Sequence, residues 1–575
     1  MKTIPALSVL FVLSFAPAGR AQLTPDQKVM DFMSLAELIS KNYAFVEWKR
    51  DAIQYDALKL APWIAQIQNS PDDASFWKIS SQYIASLQDS HSVFAIPSDW
   101  TATLGFTVDI YDGKLLVDSL DPSVFPARSN PPVKVGDELV SIDGKDAMDL
   151  VKDIASQVGD GNSRSGLRFA ASLLVNREQD IVPQATQISD QALLLINRNG
   201  GAPISLSLPW VVSGTPYAQA GPVPSPSTTA RRAAVGWPSY MDHARKRQNF
   251  RIARRRFLLG FDGLAPVFDM PTGFAQRLGK DQFDFYFSGT FTSGGYTIGY
   301  LRVPDFEFFG STDYQDPELL DEITYMQTNT DGLIVDVMRN PGGYGCSSEA
   351  LAQLLQPNGF LSLGVSIRAT WQDVLFAQQD LEFATAFGGT ADEIAELTQI
   401  LQALTDAFNQ NRGMTTPLPL CGTSRNIPSY LDKDGNTIAY SKPIMLLTDE
   451  FSASAAELFA AIMQDTGRAK LYGMRTDGAG GAVDSFYAGI YSESMVNLAI
   501  GIAVRSSSVT TMDYPAAPYI ENIGVRPDTV SDYMTVDNLT NRGKTFVDRF
   551  TAAMVGYLQS QGVSPVASSA TAGVP

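Results

Sequence analysis

The spacing of apolar residues divides the chain into regions of different periodicity. Between 24 and 87, apolar side chains recur every three to four residues, which predicts amphipathic helices. From 100 to 208, short alternating runs are separated by turns such as Asp112-Gly113, which predicts a β-rich domain. From Tyr296 onward, apolar strands alternate with helical stretches. This order predicts two smaller N-terminal regions followed along the chain by an α/β core with a mainly parallel sheet.

The α/β region has three runs that predict buried strands, each followed by a helix: 297–303, 332–337 and 444–448. Between the last two lies a helical stretch rich in Ala, Gln and Leu, from 371 to 413, which we expect to cap a cleft. A further helix is predicted near 539–558.

The first residues have the order of a secretory signal. Lys2 precedes an apolar stretch from 4 to 15, and small residues follow up to Ala21. We expect cleavage after Ala21 and a secreted or extracytoplasmic protein. The stretch is short for a stable membrane span. The alternatives are an uncleaved anchor or a buried helix.

Composition narrows the classes of partner. The chain has 575 residues, enough for two or three domains, and a formal net charge of −18, which disfavours nucleic acid and anionic membranes as partners. Two cysteines, Cys346 and Cys421, and two histidines are too few for a Cys-based zinc site, so we predict no metal and no cofactor. In an exported protein the two cysteines can pair, although the sequence does not show whether they do.

One segment departs from the acidic character of the rest. Residues 213–256 begin Pro-, Ser- and Ala-rich and then become strongly basic, with His243 inside the basic part. One interpretation is a solvated surface insertion. The other is a linker that is cut during maturation, or that plugs the site until it is cut.

The chemistry centres on Ser454. It follows the predicted strand at 444–448 and opens a helix, where a serine is exposed and the amide of Ala455 is unpaired. The alternative is that Ser452 or Ser454 caps the helix. The turn Gly342-Gly343 offers backbone N–H groups to a developing oxyanion, or is a tight turn that needs glycine.

A serine nucleophile needs a base whose pKa lies near neutrality, which points to histidine. His243 lies among cations and has no evident anchor, whereas His91 ends the helical region between Ser90 and Ser92. His91 is therefore the candidate base.

Two resemblances add to this interpretation. Residues 133–145, read as a strand, a tight turn and a second strand before a helix, closely resemble part of a PDZ domain. In it Leu104-Gly105-Phe106 corresponds to the carboxylate-binding loop. Residues 332–343, Ser452 to Glu457 and 464–469 together resemble the C-terminal processing, or tail-specific, serine proteases. That resemblance implies a crotonase-like α/β core and a PDZ domain.

A departure from the family pattern selects a branch. The bacterial tail-specific enzymes take their base from a lysine, but Ala479 stands at that position here. The tricorn-like and chlamydial secreted branch uses a Ser/His/Glu set, with the histidine in an Asp-x-His segment. Asp89-Ser90-His91 matches that segment, and Glu521 matches the family's carboxylate. The resemblance therefore implies Ser454, His91 and Glu521, with Ser90 in support and Asp513 in reserve.

We therefore predict a secreted serine endopeptidase that acts on protein or peptide substrates, and the resemblance is compatible with a homodimer. The rivals are a non-catalytic peptide- or lipid-binding protein resembling the retinoid-binding protein, an inert PDZ scaffold, and an acyl-CoA enzyme of the crotonase type. The predicted regions are a signal peptide at 1–21, a helical region with the base at 22–99, a PDZ-like domain at 100–212, an insertion at 213–256, an α/β protease core at 257–560 and a disordered tail at 561–575.

Overall fold

The computed structural model describes residues 22–565, apart from 127–129, 199, 218–259, 262, 282–283 and 308–314. The predicted signal peptide, most of the predicted insertion with His243, and the end of the predicted tail lie outside the described residues. Within the described ranges, no helix combines the length and the apolar character needed to cross a bilayer.

The N-terminal region is helical, as its apolar spacing predicts. Its first helix starts with a capping box, in which Thr24 and Gln27 each accept the other's backbone N–H. A short strand, β1 (Val93–Ala95), follows the helices and pairs with β22 (Met495–Ala499) of the C-terminal region, so the segment between α4 and β1 is fixed at both ends. The helices are α1 (Pro25–Asn42), α2 (Val46–Ala52), α3 (Ala61–Gln68) and α4 (Asp73–Ala85).

The next region has an apolar core of its own. Its main sheet has the order β3-β4-β5-β8-β9, and a second small sheet has the order β10-β2-β7. The elements are β2 (Thr101–Thr103), β3 (Phe106–Tyr111), β4 (Lys114–Leu120), β5 (Glu138–Ile142), β6 (Lys145–Asp146), α5 (Ala147–Ala155), α6 (Ser163–Val175), β7 (Asn176–Glu178), β8 (Gln191–Asn197), β9 (Ile204–Pro209) and β10 (Val211–Ser213).

The strand, tight turn and second strand predicted within 133–145, and the helix after them, are confirmed as β5, the turn at Asp143-Gly144, β6 and α5. Before β5 the chain makes another turn, in which the Asp137 carboxylate accepts the Lys134 N–H at 2.8 Å and Gly136 has φ +90°. The extended structure therefore begins at Glu138.

The core sheet has the order β11-β12-β13-β14-β19-β20-β25 and is parallel from β13 onward. Every residue of β14 and β19 is buried, because helices pack on the sheet. This confirms the predicted α/β core. The strands are β11 (Ala275–Gln276), β12 (Phe287–Ser293), β13 (Tyr296–Arg302), β14 (Gly332–Asp336), β19 (Ile444–Thr448), β20 (Ala469–Gly473) and β25 (Thr529–Val530).

The helices associated with this sheet are α7 (Pro317–Asn329), α8 (Gly345–Leu354), α11 (Ala455–Asp465) and α13 (Lys544–Ser560), with α12 (Val536–Thr540) before the last. Helix α11 ends at Asp465, since Gly467 adopts φ +65° and the chain turns into β20.

The stretch expected to cap a cleft is a helical hairpin, α9 (Trp371–Phe387) and α10 (Ala391–Asn409), reversed at Gly388 with φ +83°. The cysteines are joined, and the Cys346–Cys421 disulfide ties the start of α8 to the chain that follows the hairpin. The remaining strands are β15 (Phe360–Leu361), β16 (Gly364–Ile367), β17 (Leu418–Pro419), β18 (Asn426–Ile427), β21 (Val483–Tyr487), β23 (Gly501–Val509) and β24 (Ala517–Tyr519).

Candidate active site

Ser454 lies at a strained strand-to-helix turn between β19 and α11. Its backbone has φ +54° and ψ −121°, a conformation that residues other than glycine rarely adopt. Although Ser454 occupies the N-cap position of α11, its hydroxyl makes no capping hydrogen bond there. The capping alternative therefore fails for Ser454, and the hydroxyl stays available for chemistry.

The residues before Ser454 are pinned to the segment that follows β14. Ser452 donates its hydroxyl to the Val337 carbonyl at 2.8 Å, and the Ala453 N–H donates to the Asn340 carbonyl at 3.0 Å. These bonds explain the role of Ser452, which is structural. They also fix the nucleophile turn against the glycine turn.

The glycine turn presents one free amide. Gly342 donates its N–H to the Asn340 side chain at 2.8 Å and packs so closely that an added Cβ would lie 2.6 Å from Ser454 Cβ. The N–H of Gly343 has no hydrogen-bond partner in the described part of the chain, and neither does the N–H of Ala455 at the first position of α11. Gly343 and Ala455 are thus the better pair of oxyanion donors, since the amide of Gly342 is already engaged.

His91 is held by a turn that the Asp89 carboxylate builds. Asp89 is fully buried and accepts the His91 N–H at 2.8 Å and the Ser92 hydroxyl at 2.7 Å. Burial lowers the pKa of His91, and the charge of Asp89 only partly opposes that shift. The imidazole is therefore neutral near pH 7, which is the state that a general base needs.

The fold brings the separate sequence segments to one cavity. A cavity of about 130 Å³ is lined by His91, by Pro341 beside the glycine turn, by Ala453 beside the nucleophile and by Ala479. Ala479, which stands where the bacterial tail-specific enzymes carry their lysine base, therefore lines this cavity but contributes only a methyl group. The rest of the wall is mostly apolar.

Glu521 lies behind the base segment and is paired with a lysine that the sequence did not point to. Lys49 is buried and donates to Glu521 at 2.5 Å, to Asn522 at 2.6 Å and to the Gln88 carbonyl at 2.9 Å. Burial raises the pKa of Glu521, the neighbouring Asp89 raises it further, and Lys49 opposes both. Glu521 makes no hydrogen bond to His91 or Ser90 in the described structure.

Two further buried carboxylates connect the nucleophile helix to the cavity. Glu457, one turn after Ser454, accepts the N–H groups of Gly478 and Ala479, each at 2.7 Å, and the Thr476 hydroxyl at 2.6 Å. Asp477, inside the same loop, lines the cavity. Burial raises the pKa of Glu457 to about 8 and that of Asp477 to about 6. Glu457 ends the serine motif and Asp477 lies two residues before Ala479, but neither position in the sequence indicates a role.

The reserve acid lies elsewhere. Asp513 pairs with Arg526 at 2.8 Å, with about half of its side chain exposed, so it takes no part in the cavity.

A buried ion network joins the β-rich domain to the nucleophile turn. Arg168 of α6 pairs with Asp109 of β3 at 2.6 Å and with Glu450 at 2.9 Å, and all three side chains are buried. Its guanidinium also lies 4.4 Å from the centre of the Phe451 ring. No pattern in the sequence indicated this network, because its members are far apart along the chain.

The loop predicted to bind a peptide carboxylate uses two of its amides internally. Leu104 donates its N–H to the Val175 carbonyl at 3.0 Å, and Gly105 donates to the Thr103 hydroxyl at 2.9 Å. Phe106 begins β3 and is buried. Peptide binding at this loop stays a prediction, and it would require these two bonds to open.

The matches to known families fall separately on the β-rich domain and on the α/β core. Residues 297–531 match peptidase family S41, and residues 100–210 match a PDZ domain. The protein is a serine peptidase, and its region 297–531 is similar to peptidase family S41. Its likeness to carboxyl-terminal-processing peptidase 2 of the Arabidopsis thaliana chloroplast is local, with 35% identity over 106 residues, or 18% of each chain.

Two longer matches cover most of the chain. A Chlamydia pneumoniae protein is 24% identical over 597 residues, which cover 94% of this chain and 91% of the relative. The structure of mature CPAF complexed with lactacystin superposes with a TM-score of 0.69 at 20% identity, covering 93% of this chain and 99% of that chain. This similarity shows a shared fold, with the PDZ domain between the helical region and the protease core.

Proposed function

We propose that this serine peptidase is an exported endopeptidase that uses Ser454 as nucleophile and His91 as general base. The observation that carries the proposal is the nucleophile turn. Ser454 has a strained backbone, its hydroxyl makes no capping hydrogen bond, and the nearby amides of Gly343 and Ala455 have no partner among the described residues. His91 and the flanks of Ser454 line one cavity.

The mechanism follows from these positions. Neutral His91 takes the proton of the Ser454 hydroxyl as its oxygen attacks the peptide carbonyl. The amides of Gly343 and Ala455 stabilise the resulting oxyanion. His91 then protonates the leaving amine, and a water activated by the same imidazole hydrolyses the acyl-enzyme. Glu521 supports the base segment indirectly, through Lys49, which also donates to the Gln88 carbonyl just before Asp89.

Turnover of casein by purified protein beginning at Gln22 tests the proposal. We expect wild type to cleave casein at internal bonds, and Ser454→Ala and His91→Ala each to lose about 10⁴–10⁶-fold in kcat. The matched control for the base is His243→Ala, which changes the only other histidine of the chain and should keep wild-type turnover.

Limited trypsin treatment of a parallel sample covers the case in which the basic insertion blocks access. Folded wild type that cleaves nothing with or without trypsin would overturn the endopeptidase proposal and favour the peptide- or lipid-binding alternative. Export is tested separately: protein made with its own N-terminus should be recovered outside the cytoplasm and begin at Gln22.

A further inference from the structure

The residue beside the base, Ser90, is held by a part of the chain that does not contain Glu521. Its Oγ accepts the N–H of Gly161 at 2.8 Å, from the turn that leads into α6. With its oxygen used as an acceptor, the hydroxyl of Ser90 keeps its proton to donate. Ser90, His91 and Asp477 line the same cavity.

Asp477 is built into this cluster from several directions. Its side chain is almost fully buried, its Oδ1 accepts the Ser165 hydroxyl at 2.5 Å, and its backbone N–H donates to the Ser452 carbonyl at 3.1 Å. Burial raises the pKa of Asp477, and the neighbouring hydroxyls of Ser165 and Ser90 lower it. Its carboxylate accepts the Ser165 hydroxyl from α6 and shares the cavity wall with Ser90 of the base segment.

The backbones of these segments are in direct contact. A Cβ added at Gly161 would lie 2.6 Å from the Gly478 carbonyl oxygen and 2.8 Å from that of Asp477. The 160–161 turn therefore fits against the loop after β20 with no room for a side chain. Because Glu457 holds the same loop from the nucleophile helix, the loop joins the nucleophile side to the base side.

We propose that Asp477 is the positioning residue of the base, and that it acts through the Ser90 hydroxyl to fix the imidazole of His91 relative to Ser454. The inference rests on the proposed function, since it concerns how that catalytic pair is aligned. It assigns to Asp477 the link through Ser90 that the family resemblance implied for Glu521, whose carboxylate is engaged by Lys49.

Two changes at Ser90 and one at Asp477 test the link. Ser90→Ala removes the donor, whereas Ser90→Thr keeps a hydroxyl. Asp477→Asn keeps the size of the side chain. When the amide oxygen accepts the Ser165 hydroxyl, the NH₂ group faces Ser90 and cannot accept a hydrogen bond from it. We expect kcat on casein to fall about 10–100-fold in Ser90→Ala and in Asp477→Asn, with KM within about twofold of wild type.

Rescue and non-additivity separate positioning from general damage. Ser90→Thr should recover kcat to within about threefold of wild type. The Ser90→Ala/Asp477→Asn double variant should lose no more kcat than the worse single variant, because both changes break one link.

A buried aspartate that does not line the cavity is the matched control. Asp31 is also almost fully buried and accepts the N–H groups of Ile490, Tyr491 and Ser492. Asp31→Asn should lower Tm but keep the kcat of the folded fraction.

The outcomes divide cleanly. Wild-type kcat in folded Ser90→Ala, losses that multiply in the double variant, or no rescue by threonine would each overturn the role of Asp477 while leaving the endopeptidase proposal intact. If Asp477→Asn does not fold, the Ser90→Ala and Ser90→Thr pair still decides whether the hydroxyl link exists. An inactive wild type would instead contradict the endopeptidase proposal itself.

Discussion

The two halves of the candidate site are positioned by different means. The nucleophile and the oxyanion amides are set by backbone geometry: the end of β19, the start of α11 and a glycine turn after β14. His91 lies in a short segment between α4 and β1 and is set by buried side chains: Asp89, two residues before it, and Asp477 and Lys49 from other elements. The difference is that the nucleophile half is set by backbone turns after two neighbouring strands, whereas the base half is set by buried side chains.

The largest expected effect is on stability, and it comes from removing a buried cation, Lys49, from the base half of the site. Lys49→Met leaves the Glu521 carboxyl buried without its partner, which costs about 3–5 kcal/mol of the free energy of unfolding. Urea unfolding would measure it, and adding Glu521→Gln should recover part of the loss. The control is Lys41→Met, whose exposed pair with Glu37 contributes less than about 1 kcal/mol. Equal effects at the two lysines would contradict the role given to Lys49.

The second effect concerns the covalent tie on the nucleophile half. The Cys346–Cys421 disulfide closes a loop with a sequence separation of 75, and the chain-entropy model gives about 4 kcal/mol of stabilisation. Changing both cysteines to serine should therefore lower Tm by several degrees. The same fall should appear when wild type is heated with reductant, and an unchanged Tm in either experiment would contradict the bond.

The third effect tests whether backbone geometry sets the nucleophile. Gly342→Ala adds a methyl group 2.6 Å from Ser454 Cβ at a residue with φ +102°, and we expect kcat to fall about 100-fold. Gly113→Ala is the control, since its φ is +77° but nothing lies within 4 Å of the added Cβ. It should lose stability and keep kcat. A similar kcat in both variants would contradict the geometric account.

The smallest effect is a dependence of stability on pH. Burial raises the pKa of Glu457 from 4.5 to about 8 and that of Asp477 from 3.8 to about 6. A carboxyl with a raised pKa binds its proton more tightly in the folded state, so its contribution is full below the ordinary pKa and is lost as pH rises through the raised one.

We therefore expect the Tm of wild type to fall by a few degrees between pH 6 and pH 9. Asp477→Asn removes one of the two facing charges and should reduce that fall, although Asp160 and Arg475 also act on Asp477. An identical fall in wild type and in Asp477→Asn would contradict the coupling of the two carboxyls.

The sequence predicted the part of the fold and site that local patterns encode. The strand at 444–448, the turn into α11 and the oxyanion glycines follow from apolar runs and from the need for small residues, and the structure has them there. The pattern does not show where a side chain closes a turn, as Asp137 does with Lys134, because such bonds leave no periodic signal.

The rest of the site depends on contacts between distant residues. Lys49 and Glu521 are separated by 472 positions, and Arg168 and Asp109 by 59, so no spacing rule connects them. A buried charge looks like any surface charge in a single sequence. Glu457 and Asp477 lie inside the motifs, yet only their hydrogen bonds show that they hold the loop between nucleophile and base.

The central claim is that Ser454 is a nucleophile activated by His91, and covalent labelling tests it most directly. Wild type should form one adduct with a fluorophosphonate probe, peptide mapping should locate it on Ser454, and His91→Ala should react far more slowly while its Tm stays near wild type. An adduct on another serine, or labelling of folded His91→Ala at the wild-type rate, would contradict the account.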